Sequence, residues 1–138
     1  MKHLVQTINE SMNKSKVFVV LKPGSLDLAQ TVIERFAQDG WTVSQTTTKK
    51  LLPTEAHTLY KVHRKEDFYK DLCEYMCSDI CRAFIFEKSN ILDPFEEVKK
   101  IKEEIREKHG ESDMRNVLHS SDSQKAMDNE AGVFFNCW

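Results

Sequence analysis

Apolar residues in this chain gather into short runs and helical stripes, set apart by Gly, Pro and charged punctuation. Val17-Phe-Val-Val-Leu21 is a continuous β-branched and aromatic run, the pattern of a buried strand. Lys22-Pro23-Gly24 breaks it, and Ser25 is placed to cap a helix. Within that helix Leu28, Ala29, Val32, Ile33, Phe36 and Ala37 recur at helical spacing, and Gly40 ends it as a left-handed terminator. Trp41 to Leu52 is rich in Thr and Val, which predicts a strand with one wet face. Pro53-Thr-Glu-Ala opens a short helical segment reaching His63.

Between Asp67 and Cys77 the positions of Phe68, Leu72, Tyr75 and Met76 share one helical face. Ile80 to Phe86 returns to strand character. Asp93-Pro94 opens a strong helix, with Asp at the cap, Pro at the first helical position and Glu96 three residues after the cap. Its stripe runs through Phe95, Val98, Ile101 and Ile105, and Gly110 closes it. Ser121-Asp-Ser-Gln124 is a further capping signature for a helix to Glu130, and Val133-Phe-Phe135 reads as a last strand. This order predicts a ferredoxin-like α+β domain, an antiparallel four-stranded sheet with helices on its faces. Residues 1–15 lack periodicity and read as a flexible N-terminal arm before a domain over 16–138. Architecture alone leaves function open.

Composition narrows the classes. A chain of 138 residues is about one domain long and buries enough surface to fold without disulfide or metal. Twenty Lys+Arg against 22 Asp+Glu leave a net charge of -2, which argues against non-specific nucleic-acid or membrane-surface binding. No apolar run nears the roughly 18 residues of a membrane span, and Met1 to Lys16 is polar, unlike a secretory signal. Cys73, Cys77, Cys81 and Cys137 form no framework, so reduced thiols and a cytoplasmic location are expected. The four-residue recurrence of Cys73, Cys77 and Cys81 lacks the second ligand pair that zinc needs, with His57 and His63 a poor supply, so no metal site is assigned.

Neither G-x-x-x-x-G-K-[ST] nor G-x-G-x-x-G occurs, and there are only four glycines, so a bound nucleotide must be held by side chains. The densest polar cluster is Asp113-Met-Arg115-Asn116-Val-Leu-His119-Ser-Ser121-Asp122-Ser123. Taken alone, His119 reads as a nucleophile, a general base, a ligand, or a histidine satisfied near a helix start. Taken singly, Lys22 is a strand-end charge, Tyr60 and Phe68 are core or rim aromatics, Arg106 complements a helix dipole and Glu130 is a surface carboxylate.

As a set these residues carry a resemblance. R-N-x-x-H-x-S-D-S from Arg115 to Ser123 resembles the active-site signature of nucleoside diphosphate kinases. Phe18-Val-Val-Leu-Lys22-Pro23 resembles the family's first strand, and Tyr75-Met76-Cys-Ser78 its Tyr-Met-x-Ser segment. Tyr60 and Phe68 stand eight apart, the spacing of the family's phosphate-side Tyr and base-stacking Phe. Ile105-Arg106 precedes His119 by thirteen residues and Glu130 follows it by eleven, again as in that family.

The resemblance implies a phosphotransferase that moves the γ-phosphoryl group of a nucleoside triphosphate to a nucleoside diphosphate through a phosphohistidine. It casts His119 as nucleophile, Glu130 as the group that orients it, and Lys22, Arg106 and Arg115 as cations around the phosphates. Tyr60 would donate to a phosphate, Phe68 would stack on the base, Asn116 would bind ribose hydroxyls and Ser121 would support the site. ATP or another triphosphate would come with Mg²⁺, which bridges the phosphates with few or no protein ligands.

Some of the family pattern is missing. Glu87 to Arg106 is shorter and reads as helix where the family has a subunit-contact loop, so a homo-oligomer is expected with the dimer favoured over the family's hexamer. The family's phosphate-contacting Arg and Thr of that stretch have no equivalents, Lys99 or Lys102 being the nearest cations. Asp79-Ile80 replaces Gly-Pro, and Ser120 replaces the Gly after the nucleophile, where its Cβ and hydroxyl would crowd the phosphoryl group. Weakened kinase activity is expected, each lost donor costing on the order of tenfold or more. Two other readings compete: a nucleotide-binding interaction module with poor turnover, and an RNA-binding sheet, for which neither 17–21 nor 80–86 carries the required aromatic motif.

Overall fold

The structure, a computed structural model, describes residues 14–89 and 91–138. Strands β1 (Lys14–Leu21), β2 (Thr42–Lys49), β3 (Cys81–Ser89) and β4 (Leu118–Ser120) form one sheet in the order β2-β3-β1-β4. Each neighbouring pair is antiparallel, the ferredoxin-like arrangement. Helices α1 (Ala29–Gln38), α2 (Pro53–Leu59), α3 (Tyr69–Met76), α4 (Pro94–His109) and α5 (Gln124–Glu130) cover both faces.

The continuous apolar run of β1 follows from its central position. Val17, Val19 and Leu21 pack into the layer under α1 and α4, while Phe18 and Val20 point into the layer under α2, α3 and α5. β3 alternates in step, with Phe84 and Phe86 on the first side and Ala83 and Ile85 on the second. On the α1 side Phe36 stacks on Phe86 with ring centroids 4.2 Å apart, and Phe86 lies 5.2 Å from Phe84. β2 is an edge with mostly wet positions, which is why Thr dominates it.

Capping explains several boundaries. The Asp93 carboxylate accepts from the Glu96 N–H at 3.3 Å with Pro94 at the first helical position, as the sequence predicts. At the far end of α4 a Cβ on Gly110 would stand 2.5 Å from the Arg106 carbonyl, so only glycine closes the helix there. Gly40 follows α1 at φ 89°, the predicted left-handed stop.

Four expectations change. β1 begins at Lys14, so two residues assigned to the arm belong to the sheet, and residues 1–13 of that arm lie outside the described residues. The fourth strand is Leu118–Ser120, not Val133–Phe135; the latter stretch turns through a 3₁₀ segment, Ala131–Val133, and lays Phe134 and Phe135 on Phe18 at 5.9 and 6.4 Å. α5 is capped by Ser123, whose hydroxyl accepts from the Ala126 N–H at 3.1 Å, and not by Ser121. Ser25 makes no side-chain capping bond, and a 3₁₀ turn, Leu26–Leu28, precedes α1.

The stacked Phe36–Phe86–Phe84 column supports the face remote from the cleft described next. Phe86→Ala is expected to cost about 3–5 kcal/mol in urea unfolding. A change below about 1 kcal/mol would contradict this packing account.

Candidate active site

Three register pairs position the site. Val20 lies opposite His119 and Leu21 opposite Leu118, with Val19 opposite Ser120. Leu118 sinks into the layer under α1 and α4, so strand alternation turns His119 to the other face, the side of Val20. Lys22, one residue past Leu21, turns to that same side. Its backbone N–H donates to the Val117 carbonyl at 2.9 Å, which extends the β1–β4 register by one bond.

The chain reaches β4 through a tight three-residue turn in which the Leu118 N–H donates to the Asn116 carbonyl at 3.0 Å. Val117 at its centre has φ 78°, a left-handed backbone that costs a β-branched residue about 1–3 kcal/mol. Burial of its side chain and the bond from Lys22 hold it there. The strain therefore sits two residues before His119 and fixes where its strand begins.

His119 Nε2 is hydrogen-bonded to Glu130 Oε1, Glu130 being only 8% exposed at the end of α5. A carboxylate accepts, so Nε2 carries the hydrogen and Nδ1 keeps its lone pair. The edge of Tyr60 packs against the imidazole, ring centroids 5.1 Å apart. Burial pushes the His119 pKa below the ordinary histidine value, the Glu130 bond pulls it upward, and the charges of Lys22 and Lys102 push it down again. The imidazole is neutral at neutral pH.

Around it stand cations without carboxylate partners. Lys22 is 3% exposed, its ammonium donating to Asn116 Oδ1 at 2.7 Å and the Met114 carbonyl at 3.2 Å. Burial, with help from Arg106 and Lys102, lowers its pKa from 10.5 to about 7. Arg106 Nη2 donates to the Leu118 carbonyl at 2.8 Å, tying α4 to β4. Burial likewise lowers Arg106 and raises the Tyr60 phenol. Among the described residues the buried Tyr60 hydroxyl and Arg106 Nε have no hydrogen-bond partner. Two orphaned donors among crowded cations are what an absent anion with several oxygens would satisfy.

These groups line a cleft of about 510 Å³. Lys22, Tyr60, Phe68, Arg106, Asn116, His119 and Glu130, all singled out in the sequence, border it together. Phe68 is 46% exposed at its mouth, just before α3 rather than within it, with the His63 ring 5.6 Å away. Asn116 uses one lone pair on Lys22 and one amide hydrogen on the Asp113 carbonyl, at 2.8 Å, which leaves one of each for a ligand.

One residue is placed differently from expectation. Arg115 does not line the cleft; its guanidinium lies 5.1 Å over the Tyr75 ring, beside a separate small hollow with His109 and Glu111. Its chain neighbour Asn116 is the one that turns into the cleft, where its Oδ1 accepts from Lys22. Ser121 is buried beside the site, with its hydroxyl unpartnered among the described residues. Ser120 is buried and borders the cleft as expected of the residue after His119.

Lys102, named with Lys99 as a nearest cation in the sequence, is half-buried and lines the cleft with Asp113 and Asp122. Its signal was the four-residue step to Arg106, which stacks both on one side of α4. The cysteines Cys73 and Cys81 are buried free thiols, and burial pushes Cys81 up to about 12. Among the described residues no three His, Cys, Asp or Glu side chains cluster as metal ligands, and no helix is long and apolar enough to cross a membrane.

Comparison with known proteins gives the same picture from another direction. A family model described as nucleoside diphosphate kinase matches residues 15–137. The nucleoside diphosphate kinase of Chlorobium limicola is 29% identical over 130 residues, covering 88% of this chain and 93% of that protein. That of Hyperthermus butylicus is 30% identical over 134 residues, covering 91% and 94%. The crystal structure of the Aquifex aeolicus nucleoside diphosphate kinase superposes with a TM-score of 0.78 at 25% identity, covering 89% of this chain and 96% of that one.

The buried Lys22 makes a linkage prediction. Its folded pKa of about 7 lies below the unfolded 10.5, so between those values the unfolded chain binds more protons and stability rises with pH. Lys22→Met removes this term. Chemical denaturation of both proteins from pH 7 to 10.5 is expected to show the unmodified chain gaining stability relative to Lys22→Met by a few kcal/mol. A pH-independent difference would show that the lysine is not desolvated.

Proposed function

The chain belongs to the nucleoside diphosphate kinase family, and from that premise we propose that it transfers the γ-phosphoryl group of a nucleoside triphosphate to a nucleoside diphosphate through a phosphohistidine on His119 Nδ1. The observation that carries this reading is the neutral imidazole whose Nε2 is committed to Glu130 while Nδ1 retains its lone pair, beside orphaned donors and cations.

The Nδ1 lone pair attacks the γ-phosphorus as the bond to the β,γ-bridging oxygen breaks, and the nucleoside diphosphate leaves with that electron pair. The ring then carries positive charge, which the Glu130 carboxylate balances through the Nε2–H. A terminal oxygen of a second diphosphate attacks the phosphorus in the reverse sense and restores neutral His119. Lys22, Arg106 and the Tyr60 hydroxyl meet the phosphate oxygens, and incoming negative charge restores Lys22 to its ammonium form. Phe68 offers its exposed face to the base and Asn116 its spare donor and acceptor to ribose hydroxyls. Arg115, over Tyr75, has no part in this arrangement.

The donor set of the cleft suits Mg²⁺ that arrives on the nucleotide as part of the substrate, held by phosphate oxygens, with Asp113 and Asp122 the exposed carboxylates lining the cleft. Its chemistry there is to neutralise charge on the phosphates. Free thiols fit a reducing cytoplasm. The open edge β2, where Val43 is exposed, suits pairing of two copies into a dimer.

His119→Gln keeps the size of the side chain and removes the nucleophile. Transfer from ATP to GDP is expected to fall at least about a thousandfold in that variant, with nucleotide binding retained. Transfer that survives the substitution would reject the reading. Protonating Nδ1 removes the attacking lone pair, and burial holds the His119 pKa below the ordinary 6.5, so the acid limb of kcat/KM is expected to be centred below pH 6.5. An acid limb centred above 6.5 would contradict a buried neutral imidazole.

A further inference from the structure

We propose that Lys102 is a phosphoryl-binding residue of the transfer step, a third cation that grips the migrating group between nucleotide and His119. The inference rests on the phosphohistidine reading and assigns a residue that none of the motifs contains.

Placement is the first argument. Lys102 precedes Arg106 by one turn of α4 and borders the same cleft as Lys22 and His119. The helix is held to β4 by the bond from Arg106 to the Leu118 carbonyl, so Lys102, one turn before Arg106, rises from an anchored helix. Its helix neighbours Lys99 and Lys100 are exposed, whereas Lys102 is half-buried.

Charge is the second. Three cations share this cleft, and each raises the cost of keeping the others charged. Among the described residues Lys102 makes no ion pair within 4.0 Å, although Asp122 lines the same cleft. The field of Lys102 reaches both His119 and Lys22, lowering the pKa of each, so its ammonium is close to the reacting centre. A half-buried cation beside like charges and outside any ion pair gains little from its protein neighbours. It is useful only when three or more negative oxygens enter, as a phosphoryl group in transfer supplies.

The test is rapid-quench measurement of acid-labile label on the protein from γ-labelled ATP and Mg²⁺, together with ADP affinity by calorimetry. It compares the unmodified chain with Lys102→Met, Lys102→Gln, Lys102→Arg and the exposed control Lys99→Met. Both neutral variants are expected to slow labelling at saturating ATP by at least about tenfold while ADP affinity changes less than about threefold. Lys102→Arg recovers most of the rate and Lys99→Met matches the unmodified chain. Labelling unaffected by the neutral variants overturns the assignment. So does a loss of ADP binding in both neutral variants in step with the rate, which marks a structural role. Absence of label on the unmodified chain overturns the phosphohistidine reading and this assignment with it, whereas label there with no effect of Lys102 overturns this assignment alone.

Discussion

The pairing of three β4 residues with β1 is the constraint on which the cleft depends. Strand alternation has a period of two, so a slip of one residue would send His119 into the apolar layer and bring Leu118 to the cleft. Two features outside the strand pin the register: the Lys22 N–H on the Val117 carbonyl, and Arg106 on the Leu118 carbonyl. Both come from residues that also face the cleft. The groups that would touch phosphate are thus the groups that hold the nucleophile's strand in place, and the strained turn at Val117 is maintained by the same bond.

That arrangement gathers like charges in one cleft. Lys22 and Lys102 are pushed toward their neutral forms by burial and by neighbouring cations and Arg106 by burial, and the Tyr60 hydroxyl and Arg106 Nε lack partners among the described residues. Such crowding carries a cost in stability, a common form of the tension between stability and activity. The core absorbs it. β1 and β3 are buried on both faces, and two apolar layers flank the sheet, so local repulsion at one edge does not threaten the fold.

Much of the architecture was legible because local signals agreed with one another. Val17-Phe-Val-Val-Leu21 announces a strand covered on both faces, and Asp93-Pro94 with Glu96 announces α4. The fourth strand was not legible: Leu118–Ser120 is too short to show a period, and its pairing is decided by β1, far away in sequence. Phe134 and Phe135 imitated a strand because they are aromatic, though they serve as packing on Phe18. Within the site the linear motif leads to His119, Asn116 and Glu130 in the cleft, whereas Arg115 lies over Tyr75, a difference between adjacent residues that spacing alone does not show. The sequence left Lys99 and Lys102 as equal candidates for the missing cation, and helical phase is what sets the half-buried Lys102 apart from the exposed Lys99 and Lys100.

The central claim is that Glu130 occupies Nε2 and so leaves Nδ1 to react. The most direct measurement is nuclear magnetic resonance of the phosphorylated protein carrying ¹⁵N-labelled histidine, in which phosphorus–nitrogen coupling identifies the bonded ring nitrogen of His119. The account predicts a phosphorus bond at Nδ1, with Nε2 still protonated and hydrogen-bonded. A phosphorus bond at Nε2 would contradict it, because the Glu130 contact would then have to break before the chemistry.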